Sequence, residues 1–230
     1  MKKMIFGAVA AVAISGVATA QDSIAYWSQN SNDLPGGGFG YEVGDFPQGA
    51  DFGVQAGTAT IQPSDGMLAN VNAGVYVNLQ SFSGTSENAQ FGEASGGSLS
   101  VVGDAVNGQW IDFVFDASSY MDLVLTWAQR GTSTGFSSRS VSVSADGQNF
   151  TEIYSNSGAL TSSWTVETAD AGSLLDGAST AIFRFTFDGA TSTNGNNRLD
   201  NILIQGSTIP TPGAVALLGL AGLTGIRRRR

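Results

Sequence analysis

Apolar residues at every second position are the feature of this sequence that most constrains its fold. Two runs show the pattern clearly: Ile111, Phe113 and Phe115 in the first, and Ala181, Phe183, Phe185 and Phe187 in the second. Successive side chains of an extended strand point to opposite faces, so each run predicts a strand with one buried face and one face in water. Residues 140–144 alternate serine and valine in the same way. The period of two therefore indicates β-strands throughout this part of the chain.

Turn-forming residues separate these strands. Glycine occurs 31 times, and charged residues make up only 13% of the chain, below the roughly 25% of typical globular domains. Asp146-Gly147 lies between two strand patterns, which is a strong hairpin signal. No amphipathic helical pattern of about ten or more residues occurs in 21–209. About nine to eleven short strands with turn-rich connections predict an all-β fold, an antiparallel sandwich of two sheets.

Charge is distributed unevenly along the chain. Residues 21–209 hold all 19 acidic residues and only four basic ones, for a formal net charge of −15; the four are Arg130, Arg139, Arg184 and Arg198. Such a surface repels phosphate backbones, so nucleic acid is not an expected partner. The sequence contains no cysteine and no histidine, which rules out disulfides, zinc–thiolate sites and histidine-based catalysis.

The first 20 residues have the three parts of a secretion signal. Lys2 and Lys3 give a positive start, residues 4–17 are uncharged and apolar, and Ala18-Thr19-Ala20 is a small-x-small cleavage site. We expect signal peptidase to remove residues 1–20, so that the mature chain begins at Gln21. The alternative is an uncleaved N-terminal anchor.

A second membrane-directed segment occupies residues 210–230. Pro210-Thr211-Pro212 interrupts regular structure, residues 213–226 are uncharged, and the chain ends with Arg227, Arg228, Arg229 and Arg230. As a helix, 213–226 would extend roughly 21 Å, short of the roughly 30 Å hydrocarbon core. The segment therefore favours transient insertion into the inner membrane, with the arginines on the cytoplasmic side. A permanent C-terminal anchor is the alternative.

Two prolines, a short apolar helix and terminal arginines resemble the PEP-CTERM sorting signal. The resemblance implies processing by an exosortase-type membrane protease and delivery through the inner membrane to the cell surface or extracellular matrix. Thr211 stands where the family usually has glutamate, which leaves the type of processing enzyme open.

The central part of the chain, about residues 80–205, resembles bacterial extracellular domains that often precede such tails. The resemblance is carried by the segments 81–85, 130–136, 144–151 and 197–202. It implies a jelly-roll sandwich similar to carbohydrate-binding modules. No single activity is attached to these domains, so the resemblance bears on architecture more than on function. The expected division is a signal peptide at 1–20, a sandwich domain at 21–209 and a sorting tail at 210–230.

Aromatic and arginine side chains are the candidates for ligand contact. Sugar rings stack on exposed aromatic rings, and Trp27, Trp110 and Trp164 are the candidates for this role, although burial in the core is the alternative for each. Trp127 is expected in the core, since it shares a face with Leu123 and Leu125. An acid partner is expected for each scarce arginine; the alternative is that Arg130 and Arg198 help bind an acidic polysaccharide.

Asp200 is the candidate ligand for a structural Ca²⁺. Carbohydrate-binding jelly rolls often place an acid for calcium in a comparable final strand, and hard oxygen ligands suit the ion. Glu42, Asp45 or backbone carbonyls near the N-terminus would complete the site. The alternative is that Asp200 pairs with Arg198 or caps a turn.

Three functions are compatible with these observations. The first expectation is a non-catalytic structural or interaction protein of the cell surface or extracellular matrix. The second is a glycan-binding module acting on exopolysaccharide. The third is a carboxylate glycosidase, but no glycosidase motif is recognisable around the scattered glutamates. We therefore do not expect an enzyme.

The tail interpretation predicts a specific mass. If the tail is processed, protein isolated from its native host lacks Arg227–Arg230, and intact-mass spectrometry gives a mass below that of a chain ending at Arg230. A mature protein that retains the four arginines contradicts processing and favours a permanent anchor.

Overall fold

A computed structural model describes residues 21–30 and 40–210. The expected signal-peptide helix and the expected C-terminal apolar helix, together with Thr211, Pro212 and the terminal arginines, lie outside these residues. Pro210 is exposed just beyond the last strand. Within the described residues, no helix has the length and apolarity needed to cross a membrane.

Strands account for nearly all the regular structure of the described residues. In chain order they are β1 (Asp22–Trp27), β2 (Gly40–Glu42), β3 (Gln48–Gly49), β4 (Thr60–Pro63), β5 (Val71–Asn72), β6 (Val75–Ser83), β7 (Gly97–Val102), β8 (Gln109–Phe115), β9 (Tyr120–Gly131), β10 (Ser138–Ser144), β11 (Thr151–Ser157), β12 (Thr165–Asp170), β13 (Ala181–Asp188) and β14 (Asn196–Thr208). A single helical turn, α1 (Asp65–Leu68), and a short 3-10 turn (Asp104–Val106) complete the fold.

The strands form two antiparallel sheets. Sheet A has the order β12-β9-β14-β7-β6-β2, with β1 also paired to β14 and β5 to β6; sheet B has the order β11-β10-β13-β8-β4-β3. The long strand β14 pairs along one side with β9, and along its other side with β7 and then β1. This arrangement confirms the predicted all-β, two-sheet antiparallel sandwich.

Aromatic side chains join the two sheets across the core. Trp127 of β9 meets Phe185 of β13 edge to face, with ring centroids 4.9 Å apart. Trp27 of β1 meets Phe113 of β8 in the same geometry at 5.3 Å. Edge-to-face packing is a favoured arrangement for aromatic rings. All four rings are buried, so the expected core position of Trp127 is confirmed.

The Asp146-Gly147 hairpin is also confirmed. β10 and β11 pair antiparallel on either side of it. The carboxylate of Asp146 accepts the backbone N–H groups of Gln148 and Asn149, each at 2.8 Å. Gly147 adopts a φ of 73°, a conformation that glycine adopts without steric cost.

The loops that follow β9 and β13 meet at one end of the sandwich. The N–H of Thr191 donates to the carbonyl of Thr134, and the N–H of Thr132 donates to the carbonyl of Asn196, both at 3.0 Å. Gly195 lies so close to the Thr134 carbonyl that an added Cβ would be 2.1 Å from its oxygen. These contacts fix the ends of β9 and β14 beside each other.

Strand β12 has no counterpart in the sequence prediction. It lies at the edge of sheet A and pairs with β9 alone. Most of its side chains are exposed, and Ala169 is its buried residue. An edge strand with so little buried surface does not need the apolar alternation by which the other strands were recognised.

Adjacent residues of β8 give a test of the sandwich. Phe113→Ala is expected to lower the free energy of unfolding by about 3–5 kcal/mol, because a buried ring is removed from the contact between the sheets. Val114→Ala, on the outward face of the same strand, is the control and should cost less than about 1 kcal/mol. Urea denaturation measures both, and equal losses would contradict the assigned faces.

Candidate functional site

The structure brings together three of the five residues proposed for ligand contact. Arg130, Arg198 and Trp164 lie on the outer face of sheet A. Trp27 and Trp110 lie elsewhere. The shared position of the three follows from the pairing of β9 with β14 and from the start of β12 beside β9.

Strand register sets the two arginines in a line with residues of β7 and β6. Arg198 is directly opposite Arg130 on one side and Ser100 on the other, and Ser100 is in turn opposite Gln80. Directly opposite residues project from the same face of a sheet. Trp164 precedes β12, and its ring lies beside Arg130.

We call this set the arginine row; its members are Gln80, Ser100, Arg198, Arg130 and Trp164. Ser100 is buried, so the partly exposed part of the row runs from Arg198 to Trp164. Strands lie about 4.8 Å apart, so this part extends roughly 10 Å.

Arg198 is held in place by neutral groups. Its guanidinium carbon lies 4.6 Å from the centre of the Phe82 ring. Its Nη1 donates to the carbonyl of Ser83 at 3.2 Å, and its Nε donates to Oδ1 of Asn196 at 3.4 Å. These contacts orient the guanidinium without neutralising its charge.

Arg130 has fewer contacts than Arg198. Its guanidinium carbon lies 5.7 Å from the centre of the half-exposed Trp164 ring. The Nε–H of Arg130 is buried and has no acceptor among the described residues. An unsatisfied buried donor is costly in a folded protein.

The two arginines face each other without an acid between them. In the described part of the chain, no carboxylate lies within 4.0 Å of either guanidinium. Like charges directly opposite each other on a sheet are destabilising. Burial, and then the positive charge of Arg130, lower the pKa of Arg198. The expected acid partners of Arg130 and Arg198 are therefore not found.

The other two arginines differ from each other: Arg184 has an acid partner, whereas Arg139 has none among the described residues and its buried Nε–H has no acceptor there. Arg184 donates to both oxygens of Asp112, with each N–O distance 2.7 Å, so the expected salt bridge is confirmed for this residue. The buried Arg139 donates through Nη1 to the carbonyls of Phe136 and Gly158. Arg139 is buried, whereas Arg130 and Arg198 are partly exposed and have no acid partner among the described residues. These two arginines are therefore the ones that a ligand could contact.

The prediction for Trp27 is wrong. Its side chain is 0% exposed, lies in the core against Phe113, and donates its indole N–H to the carbonyl of Gln48 at 3.4 Å. No sugar ring can reach it.

Trp110 is half-buried on the outer face of sheet B, away from the row. The Arg184 guanidinium carbon lies 4.5 Å from its ring centre and 3.8 Å from that of Phe150. Trp110 and Phe150 thus flank an arginine that is already paired with Asp112. This cluster joins β8, β13 and the end of the hairpin.

Asp200 lies buried at the centre of a hydrogen-bond network. One carboxylate oxygen accepts the N–H of Thr85 at 2.6 Å, and the other accepts the N–H of Asn201 at 2.8 Å. Burial raises the pKa of Asp200 to about 7, although both N–H groups act to lower it. The carboxylate therefore attaches the segment that begins at residue 84 to sheet A.

The network gives no support to the calcium hypothesis for Asp200. Within residues 21–30 and 40–210, no three acidic side chains gather closely enough to hold a metal ion. Asp45, one of the proposed co-ligands, accepts the N–H of the other, Glu42, at 2.6 Å. Asp200 also forms no ion pair with Arg198 in the described part of the chain.

Asn201 is a central residue that the sequence interpretation did not assign a role. Its amide donates to the carbonyls of Thr85 and Glu87 at 2.7 and 2.9 Å, and its Oδ1 accepts the hydroxyl of Tyr26 at 2.5 Å. It adopts a φ of 49°, which asparagine tolerates better than most residues. The sequence interpretation also gave no role to Phe82. Phe82 lies two residues after Gln80 on β6, so alternation places both side chains on the same face of the strand.

Two shallow depressions lie outside the row. One, of about 340 Å³, is lined by Ser28, Asn30, Asp51, Phe52 and Glu93. Asp51 accepts hydrogen bonds from the N–H and hydroxyl of Ser28, and Glu93 accepts one from the amide of Asn30. Both carboxylates thereby anchor the segment that follows β1. The other depression, of about 550 Å³, lies on sheet B near Gln62 and Asp116.

Comparison with known proteins gives structural similarity only. No family model matches the chain, and no curated protein matches it. The CBM22-1 xylan-binding domain of Paenibacillus barcinonensis Xyn10C is 11% identical, with a TM-score of 0.47 over 84% of this chain and 100% of that domain. TmCBM61, solved with β-1,4-galactotriose, is 9% identical, with a TM-score of 0.40 over 64% of this chain and 86% of that one.

A cleaved adhesin domain, K3 of the Lys-gingipain of Porphyromonas gingivalis, is also similar. It is 16% identical, with a TM-score of 0.37 over 51% of this chain and 76% of that domain. The matches thus include carbohydrate-binding modules and an adhesin domain. Identities and TM-scores this low do not transfer a ligand, so the function of this chain is argued from its own residues.

The buried carboxyl of Asp200 predicts a pH-dependent stability. With a pKa near 7 when folded and near 3.8 when unfolded, the group gives up a proton on unfolding between these values. Its contribution to the free energy of unfolding is complete below pH 3.8 and is lost as the pH rises through 7, by up to about 1.4 kcal/mol per pH unit. Asp200→Asn removes this contribution.

Urea denaturation of wild type and Asp200→Asn at several pH values between 4.5 and 7.5 measures the effect. The stability advantage of the wild type over the variant should shrink as the pH rises. Asp122→Asn, at an exposed position, controls for the change in net charge. A constant difference between wild type and Asp200→Asn would contradict the prediction.

Proposed function

We propose that this protein is a non-catalytic glycan-binding module that holds a polysaccharide along the arginine row of sheet A. The observation that supports it is the alignment of a half-exposed tryptophan with two unpaired guanidinium groups on one outer face. Apolar ring surface beside convergent polar donors is the combination that sugar recognition requires.

Trp164 and the two arginines each have a role in this proposal. Trp164 offers ring surface to the C–H face of a sugar. Arg130 and Arg198 offer several N–H donors to hydroxyl oxygens, in a planar arrangement that loses little side-chain freedom on binding. Gln80 lies beyond the buried Ser100, and its amide donates to the carbonyl of Val77. The partly exposed part of the row, roughly 10 Å from Arg198 to Trp164, accommodates more than one sugar unit, so an extended chain is the expected ligand rather than a free monosaccharide.

A purely structural role explains the row less well. Packing is served by an arginine paired as Arg184 is with Asp112. Two unpaired arginines set opposite each other reduce stability. A ligand that accepts from the Nη–H groups they leave free would give the arrangement a function. No carboxylate lies on the row itself, so the row favours binding over glycoside hydrolysis.

We propose that binding takes place outside the inner membrane, at the cell surface or in the extracellular matrix. The support comes from the sequence: the signal-like residues 1–20 and the sorting tail at 210–230. A module delivered there by an exosortase-type protease would meet exopolysaccharide. The intact-mass measurement described above tests the processing step.

Tryptophan substitutions on the two sheets test the location of the site. The full chain is first screened for binding to a panel of neutral and acidic polysaccharides by affinity gel electrophoresis. Trp164→Ala is expected to weaken binding to any polysaccharide that is bound by about tenfold, the equivalent of one aromatic contact. Trp110→Ala, on sheet B, is the matched control and should bind as the wild type does.

Thermal denaturation confirms that both variants are folded. If no polysaccharide in the panel binds, the proposed function is wrong. If Trp110→Ala loses affinity while Trp164→Ala keeps it, the site lies on sheet B and the assignment to the arginine row is wrong.

A further inference from the structure

We infer that Arg130 and Arg198 bind acidic groups of the polysaccharide, carboxylates or sulfates, so that the polysaccharide recognised is an anionic one. The inference depends on the proposed function, because it assigns the chemical class of the ligand bound at the arginine row. The residues involved are those of the arginine row.

The distribution of charge gives the first reason. Acidic residues outnumber basic ones 19 to four in residues 21–209, yet neither of these two arginines has an acid partner in the described part of the chain. The nearest acid along β14, Asp200, is occupied by the N–H groups of Thr85 and Asn201. The protein thus leaves two adjacent positive charges uncompensated where compensating acids are abundant.

The geometry gives the second reason. Side chains directly opposite each other on neighbouring strands have Cβ atoms about 5 Å apart and project from the same face. The two guanidinium groups lean towards different neighbours, Arg130 towards Trp164 and Arg198 towards Phe82 and Ser83, so each is placed to meet an acidic group of its own. The Nε of Arg130 is buried, and Arg198 uses Nε and Nη1 for contacts within the protein, so a ligand would accept from the remaining Nη–H groups.

The pairing of Arg184 with Asp112 shows how a carboxylate binds an arginine in this protein. At Arg184, a carboxylate accepts from Nε and Nη2 of one guanidinium, while aromatic rings flank it. Arg130 and Arg198 have the flanking rings, Trp164 and Phe82, but no carboxylate. A ligand carboxylate or sulfate would supply the missing counter-charge, and it would accept from Nη–H groups, because the Nε of Arg198 donates to Asn196 and the Nε of Arg130 is buried. Charge-assisted hydrogen bonds of this kind are stronger than those to neutral hydroxyls.

Relief of repulsion gives the third reason. An anion bound at either guanidinium group adds an attractive interaction that offsets this repulsion, and its effect is increased because the site is partly desolvated. Burial and the neighbouring charge of Arg130 already lower the pKa of Arg198, which is the direction expected for a cation without a counter-charge. A neutral sugar gives no such relief.

The test compares polymers that differ only in charge. Affinity gel electrophoresis of the full chain uses polygalacturonate against its methyl ester, and dextran sulfate against dextran. We expect one acidic polymer, or both, to bind at least about tenfold more tightly than its neutral counterpart, since hydrogen bonds to charged groups are stronger than those to neutral ones. The two arms distinguish a carboxylate from a sulfate as the recognised group.

Arginine variants connect the charge preference to the site. Arg130→Gln and Arg198→Gln should each lose about tenfold or more in affinity for the acidic polymer and little for its neutral counterpart. Their melting temperatures should stay unchanged or rise, since a like-charge contact is removed; a merely structural role would lower them. Gln148→Glu, at the exposed hairpin, changes the net charge equally and is the control.

The outcomes separate the two proposals. Equal binding of acidic and neutral polymers, or full affinity of both arginine variants, overturns the anionic class and leaves glycan binding in place. If Gln148→Glu reduces affinity as much as the arginine variants do, the preference comes from overall charge and the inference is wrong. Failure to bind any polysaccharide overturns the proposed function itself.

Discussion

The contact between the two sheets determines where every other side chain of this protein lies. Trp127 against Phe185, and Trp27 against Phe113, fix the inward face of β9, β13, β1 and β8. A shift of one residue in a strand would move its whole set of side chains to the opposite face. With Trp127 inside, alternation places Ala128 outside, Gln129 inside and Arg130 outside. The position of the arginine row is thus a consequence of core packing more than of any local preference of the arginines.

The sequence allowed the fold to be predicted where burial is one-sided. In β8 and β13 every second residue is buried, so the period of two identified both the strands and their inward faces. β1 is different, because Ile24 through Trp27 are all buried. Residues 51–55 cover its other side: the N–H of Tyr26 donates to the carbonyl of Phe52, and the N–H of Gln55 to that of Ile24. The local sequence of β1 does not show that residues 51–55 pack over the strand. For this reason Trp27 was proposed as a surface residue that could contact a sugar, although it is buried.

The types of residue at the candidate site could be predicted from the sequence, but their positions relative to one another could not. Scarcity alone singled out the four arginines, and their residue type pointed to acids or sugars. Which two would meet depends on the register of β9 and β14, which shifts between Asp200 and Leu203, next to the left-handed Asn201. Such an irregularity is invisible to a simple alternation count. The calcium hypothesis for Asp200 stays a prediction. The partner that the structure shows for Asp200, the segment from residue 84, comes from a distant part of the chain and could not be identified from the sequence around Asp200.

Screening by salt limits both the strongly acidic body and the unpaired arginines to short distances. At physiological ionic strength, charges separated by more than about 8 Å are largely screened, so an approaching polymer responds to the acidic surface only near contact. Nucleic acid places many phosphates against that surface at once and is therefore not an expected partner. Under the proposed function, the attraction of Arg130 and Arg198 for an acidic group is confined to the same short range. Binding of an acidic polysaccharide would therefore depend on whether its groups reach these two guanidinium groups, and much less on the net charge of the protein.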